Sequence, residues 1–96
     1  MKLSWTSRAE NERYDQLDYI ARDNPLAAVD QDEEIEKQTD LLTTQTKMGR
    51  VGREKGTREL VISRTPFIAI YRIEGKRIEI LRFLHGAQQW PPETIV

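Results

Sequence analysis

Apolar residues change their spacing midway along this chain. Tyr14, Leu17, Ile20 and Ala21 recur at three- and four-residue intervals, and Ala28, Ile35 and Leu42 at sevens, with Leu41 beside the last. Both intervals place side chains on one stripe of a helix. Beyond residue 56 the apolar residues instead come in β-branched and aromatic runs, "TRELVIS" at 57–63, "FIAIYRI" at 67–73 and "RIEILRFL" at 77–84. Such runs suit pleated strands. Arg64-Thr65-Pro66 and Glu74-Gly75-Lys76 separate them, so three consecutive antiparallel strands are expected.

Punctuation sharpens the first half. "KLSW" at 2–5 reads as an edge strand, and Ser7-Arg8-Ala9-Glu10 fits the S-x-x-E capping box that opens a helix. Asn24 as cap and Pro25 as first helical residue start a second helix, since proline lacks only a donor that the first turn does not use. The acids Asp30, Asp32, Glu33, Glu34 and Glu36 crowd its first half, where they complement the helix dipole and form a solvated face. The segment 46–56, "TKMGRVGREKG", reads as a flexible basic loop. In 67–73, Ile68, Ile70 and Arg72 face one way and Phe67, Ala69, Tyr71 and Ile73 the other, so both sheet faces need cover. The helices supply one cover; the tail "HGAQQWPP", anchored by Trp90, is expected to supply part of the other. The reading is a single α+β domain over 1–96 in the order β-α-α-β-β-β, a two-helix hairpin packed on a small, mainly antiparallel sheet.

Composition narrows the function. The chain has 96 residues, no cysteine and no apolar run near the roughly 20 residues that a membrane span requires, so a single core and a cytoplasmic setting are expected, with no disulfide or cysteine metal site and no membrane. The net charge of −1 hides an asymmetry: residues 1–48 carry 6 Lys/Arg against 11 Asp/Glu, and residues 49–96 carry 9 against 5. A chain that grips nucleic acid through many phosphates is basic throughout, which this one is not.

Candidate chemistry is sparse. His85 is the only histidine, and one imidazole without cysteine assembles neither a triad nor a metal centre; it reads as a residue finishing the last strand. "GRVGREKGT" lacks the G-x-x-x-x-G-K-[ST] pattern of a phosphate-binding loop, leaving a connecting loop or a basic contact surface carrying Arg50 and Arg53. Arg58, Arg72 and Arg82, one per strand, form a cationic patch only if the register puts them on one face. No cofactor or metal site is expected.

The order of elements, together with Gly49-Arg50, Gly52-Arg53, Gly56-Thr57-Arg58-Glu59-Leu60, Thr65-Pro66, Tyr71-Arg72-Ile73, Ile78-Glu79-Ile80-Leu81-Arg82, Leu84-His85-Gly86-Ala87-Gln88 and Trp90-Pro91, resembles the plasmid-stabilisation, ParE-like branch of the RelE/ParE superfamily of type II toxin-antitoxin systems. Tyr19-Ile20 and the Asn24-Pro25 junction with Ala27-Ala28 fit as well, so the resemblance spans nearly the whole chain. It implies a growth-inhibiting toxin neutralised by a cognate antitoxin, through which the complex can bind operator DNA. RelE-like members cut mRNA on the ribosome, whereas ParE-like members poison DNA gyrase. RelE-like nucleases tend to carry an arginine where Ile68 stands, a proton-handling residue in the tail where Gln88, Gln89 and Trp90 stand, and a strongly basic surface; this sequence departs on all three. The resemblance therefore favours gyrase, with Arg50, Arg53, Arg58, Arg72, Arg82 and Trp90 as target-binding residues and no catalytic set. A ribosome-dependent endoribonuclease, which would rely on Arg58, Arg72, Arg82 and His85, is the alternative, and a decayed member that binds only an antitoxin is the third reading. Arg13 and Gln16 stand where the family places apolar residues, which implies either a weakened seat for the helical hairpin or a different partner surface.

Overall fold

Chain reversal begins at Thr6, and the reversal explains the first layer. The computed structural model describes residues 1–86. Strand β1 (Lys2–Trp5) ends at Thr6, whose hydroxyl accepts from the Ala9 backbone N–H at 3.1 Å and donates to the Leu81 carbonyl at 3.0 Å. Thr6 rather than Ser7 is thus the N-cap of helix α1 (Ser7–Asp23), and the expected capping box does not form because Ala9, not Glu10, occupies the third helical position. Asn24 closes α1 through its backbone N–H and opens helix α2 (Pro25–Asp40) through its side chain, which accepts from Ala27 N at 3.1 Å. A short 3-10 turn, Leu41–Thr43, follows, and it contributes Leu42 to the core in place of the last turn of α2.

Four strands complete the described chain: β2 (Arg50–Val51), β3 (Arg58–Val61), β4 (Phe67–Glu74) and β5 (Arg77–His85). The expected loop at 46–56 therefore contains a strand, because Arg50 and Val51 pair antiparallel with Glu59 and Arg58. All five strands form one sheet in the order β1-β5-β4-β3-β2, antiparallel except for the parallel pairing of β1 on β5. Gly75, at φ +59°, begins the two-residue turn between β4 and β5, a conformation that glycine adopts without a Cβ penalty. A bulge opposite Ile70/Tyr71 shifts the β4–β5 register by one residue and keeps Phe83, Ile80 and Ile78 on a single face.

That face carries Leu60, Phe67, Ala69, Tyr71, Ile78, Ile80 and Phe83, and with Ile62 they pack under Ala9, Ile35 and Leu42 from the helical layer. Phe83 stacks at a tilt on Phe67 (5.0 Å between ring centroids) and on Trp5 (5.8 Å). The expected division of faces in β4 holds, and Ile70 and Leu84 are buried on the second face. The expected cover by the tail and Trp90 lies outside the described residues.

Two expectations about α1 change. Tyr14 is 69% exposed, so the inward stripe runs instead through Ala9, Leu17 and Ile20. Arg13 lies in that stripe and is engaged there: its guanidinium sits 4.8 Å from the centre of the Trp5 ring and bridges to Asp32 (2.6 Å) and Glu36 (3.0 Å) of α2. The arginine thereby ties both helices to the first strand, with its stem covering apolar surface. Gln16 is half-buried and also engaged.

The outer edge of β5 is closed from α1. β1 pairs only as far as Ile80, and beyond it Glu12 accepts from the Phe83 backbone N–H at 3.0 Å and from Arg82 Nε and Nη2 at 3.0 and 2.8 Å. Glu12→Ala should remove the acceptor of the Phe83 backbone N–H and the carboxylate of the Arg82 ion pair together. Urea unfolding should then show a loss of about 2–3 kcal/mol, with little change in slope.

Candidate functional site

The turn joining β2 to β3 builds a basic corner around one buried carboxylate. Glu59, 2% exposed, faces Arg50 across the β2–β3 pair and accepts from Arg50 Nη2 at 2.9 Å and from the Arg53 backbone N–H at 3.0 Å; the Arg53 guanidinium lies 3.9 Å away. Burial alone would raise the Glu59 carboxyl, but the Arg53 N–H, the Arg50 hydrogen bond and both guanidinium charges outweigh it and hold it below its ordinary 4.5. The Arg50 and Arg53 side chains remain more than half exposed. Glu59 thus fixes the inner side of two arginines whose outer sides face solvent.

Beneath the corner, Tyr71 and Arg58 hold the incoming chain. The Tyr71 hydroxyl donates to the Thr46 carbonyl at 2.8 Å and accepts from the Gly49 N–H at 2.9 Å, while Arg58 Nη1 donates to the Gly49 carbonyl at 2.7 Å. A Cβ on residue 49 would sit 2.7 Å from the Tyr71 ring and 2.9 Å from the Glu59 carbonyl, so only glycine permits this approach. Burial raises the Tyr71 phenol above 10, partly opposed by the Gly49 hydrogen bond and the Arg58 charge. The phenol therefore stays protonated and donating at neutral pH.

Alongside lies a groove of about 580 Å³ between the C-terminal half of α2 and β3. Leu41, Met48 and Val61 supply partly exposed apolar surface, and Lys37, Arg50 and Arg64 supply positive charge. Gln38 crosses its floor and pairs with the Ser63 backbone, accepting from Ser63 N at 2.8 Å and donating to Ser63 O at 3.0 Å.

The arginines expected to form one patch are distributed over both faces. Arg58 pairs across from Tyr71 on the helix-covered face, whereas Arg72 and Arg82 pair across from Glu79 and Ile70 on the other. Arg72 is bound by Glu79 (2.8 Å) and Glu74 (3.0 Å), and Arg82 by Glu12. His85 ends β5 opposite Phe67, its ring edge-on to that phenyl at 6.2 Å, as expected of a residue finishing the sheet. Arg50 and Arg53 are brought together and Arg58 adjoins them; Trp90 lies outside the described residues. Among those residues no group of three or more His, Asp or Glu is placed to hold a metal ion. Sequence reasoning missed Glu59, Tyr71 and Gln38. For Glu59 a signal existed: an acid in the run "REL" sits a hairpin's distance from Gly49-Arg50 and Gly52-Arg53, a spacing that permits one carboxylate to serve both arginines.

Known proteins resemble this chain. The profile of the family described as ParE toxin of type II toxin-antitoxin system, parDE, matches residues 3–90. A protein of Sinorhizobium fredii (strain NBRC 101917 / NGR234), Y4kP, whose name marks it as a candidate toxin, is 42% identical over 91 residues, covering 94% of this chain and 93% of that protein. A solved chain from a chromosomal ParDE TA system of P. aeruginosa superposes with a TM-score of 0.80 at 31% identity, covering 88% of this chain and 95% of that one.

The corner makes stability depend on pH at both ends. Glu59 has a lowered folded pKa, so its contribution is complete above about 4.5 and lost as pH falls through the folded value; Tyr71 has a raised one, so its contribution is complete below about 10 and lost above. Glu59→Gln should cost about 1–3 kcal/mol at neutral pH and flatten the acid limb of a stability–pH curve. Tyr71→Phe, which orphans Gly49 N–H and the Thr46 carbonyl, should cost a similar amount and flatten the alkaline limb.

Proposed function

We propose, because this chain belongs to the ParE toxin family of type II toxin-antitoxin systems, that it inhibits growth by binding and poisoning DNA gyrase and is held inactive by a cognate antitoxin. The observation that carries the target is the fate of the guanidinium groups. An endoribonuclease needs a base, an acid and a charge stabiliser converging on one phosphodiester. Here Arg72 pairs with Glu74 and Glu79 of the sheet, Arg82 with Glu12 of α1, Arg58 with backbone carbonyls on the helix-covered face, and His85 lies against Phe67. The Arg50–Arg53 corner, braced from within by Glu59, faces outward, its two side chains 54% and 60% exposed. That geometry suits contact with an anionic surface on larger machinery, where rigid exposed charges speed and orient docking. A gyrase poison requires no proton-transfer group of its own, because the bond breaking belongs to gyrase. No helix among the described residues is long and apolar enough to cross a membrane, which fits action on a cytoplasmic target.

Purified protein incubated with gyrase, ATP and plasmid should accumulate cleaved DNA or block supercoiling. Arg53→Ala, at an exposed position, should lower potency about three- to tenfold, with the deficit shrinking as salt rises. Unimpaired supercoiling at micromolar protein, combined with new mRNA ends in programmed ribosomes, would transfer the assignment to RNA cleavage.

A further inference from the structure

Resting on the gyrase reading above, we infer that the β2–β3 hairpin grips the sugar-phosphate backbone of the DNA segment on which that target acts, without reading its sequence. Residues 47–59 carry five cations, Lys47, Arg50, Arg53, Lys55 and Arg58, against two acids, Glu54 and Glu59, a surplus of three positive charges. Pairing inside the corner does not cancel that surplus, because the one buried carboxylate of Glu59 serves two guanidinium groups. Arg58 adds to it, since its guanidinium is bound by the Lys47 and Gly49 carbonyls, which carry no net charge. Lys47 and Lys55 are exposed, and neither enters an ion pair among the described residues.

Composition separates a phosphate backbone from an acidic protein surface as the partner. Protein interfaces are anchored by an apolar or aromatic centre. The hairpin turn offers neither, for residues 52–57 are Gly, Arg, Glu, Lys, Gly and Thr, and Val51 alternates with Arg50 to the opposite side of β2. Phosphates need only charge and donors, which arginine forks and lysines supply. No Asn or Gln stands between 46 and 59 to read an adenine edge, and Glu59 already takes the inner donors of Arg50. The turn is closed by the Gly52 N–H, which donates to the Thr57 carbonyl at 2.8 Å, and a two-stranded ribbon of this kind is narrow enough to lie along a DNA groove. The helical layer limits how much DNA is touched. Residues 7–40 hold 4 Lys/Arg against 11 Asp/Glu, and β2 lies at the sheet edge opposite β1, away from α1 on β5. A polyanion repels the helices and attracts the hairpin, so the molecule docks hairpin-first on about three phosphates. Such a contact is weak alone and gains its strength when gyrase holds toxin and DNA together.

The purified full-length chain should be titrated into a short labelled DNA duplex while anisotropy is followed between about 50 and 200 mM salt. Log Kd should rise with log salt at a slope of about 3, and Lys55→Ala and Arg53→Ala, both at exposed positions, should each lower that slope by about one and weaken binding equally on unrelated sequences. Gyrase carrying DNA should retain the chain at least about tenfold more tightly than gyrase alone, and Lys47→Ala with Lys55→Ala should erase the difference. A slope that these variants leave unchanged overturns the hairpin as the site, and tighter binding to duplex RNA than to DNA overturns DNA as the partner. Equal binding to gyrase with and without DNA, with none to the duplex, makes an acidic protein surface the partner and leaves the gyrase reading standing. Duplex binding with the expected slope but unimpaired supercoiling overturns the gyrase reading and leaves the hairpin's grip on DNA standing, and binding to neither duplex nor gyrase overturns both.

Discussion

Backbone hydrogen bonding at the two ends of a narrow sheet is the constraint on which the rest of this molecule depends. Five strands, two of them four residues long and one of only two, leave stretches of β5 and β3 without a neighbouring strand among the described residues. Unpaired main-chain groups are costly wherever water is excluded. The chain meets this cost with side chains that stand in for absent strands. Thr6 and Glu12 close β5 at Leu81 and Phe83, and Gln38 closes β3 at Ser63. The position of α1 follows from the first closure, because the residue that ends β1 also caps the helix carrying Glu12.

The same economy governs the charges. Glu12 and Glu59 are carboxylates drawn inside the fold, and each organises arginine together with a backbone N–H. Arginine suits this use, since its fork satisfies a carboxylate along two directions and still presents apolar stem. Arg82 is largely buried against Glu12, whereas Arg50 and Arg53 are held by Glu59 from inside and stay more than half exposed. A sequence with nearly balanced charge thereby acquires a rigid cationic corner.

Periodicity made the architecture legible because helices and strands bury one face at fixed intervals. Strands β3, β4 and β5 and the two faces of β4 could be read that way, and the Asn24-Pro25 junction from its capping residues. Readings failed where a tertiary contact overrode a local pattern. Thr6 displaced Ser7 as cap because its hydroxyl serves Leu81 as well as the helix. Tyr14 satisfied the helical spacing yet lies outside, while Arg13, which broke it, lies over Trp5. The segment 46–56 looked like a loop because glycines and basic residues carry no strand signal; its pairing depends on Glu59 and Tyr71, distant in sequence. The candidate site was legible in its arginines and not in their partners, since residue type announces a charge but only register reveals what neutralises it.

The two edge closures differ in kind. At β5 the substitute is an ion pair, with the Arg82 and Glu12 side chains only 14% and 21% exposed. Separating such a pair costs more than separating two neutral groups. At β3 the substitute is a neutral amide beside an open groove. The part of β5 beyond β1 is thus closed by charge, and the part of β3 beyond β2 by a neutral amide.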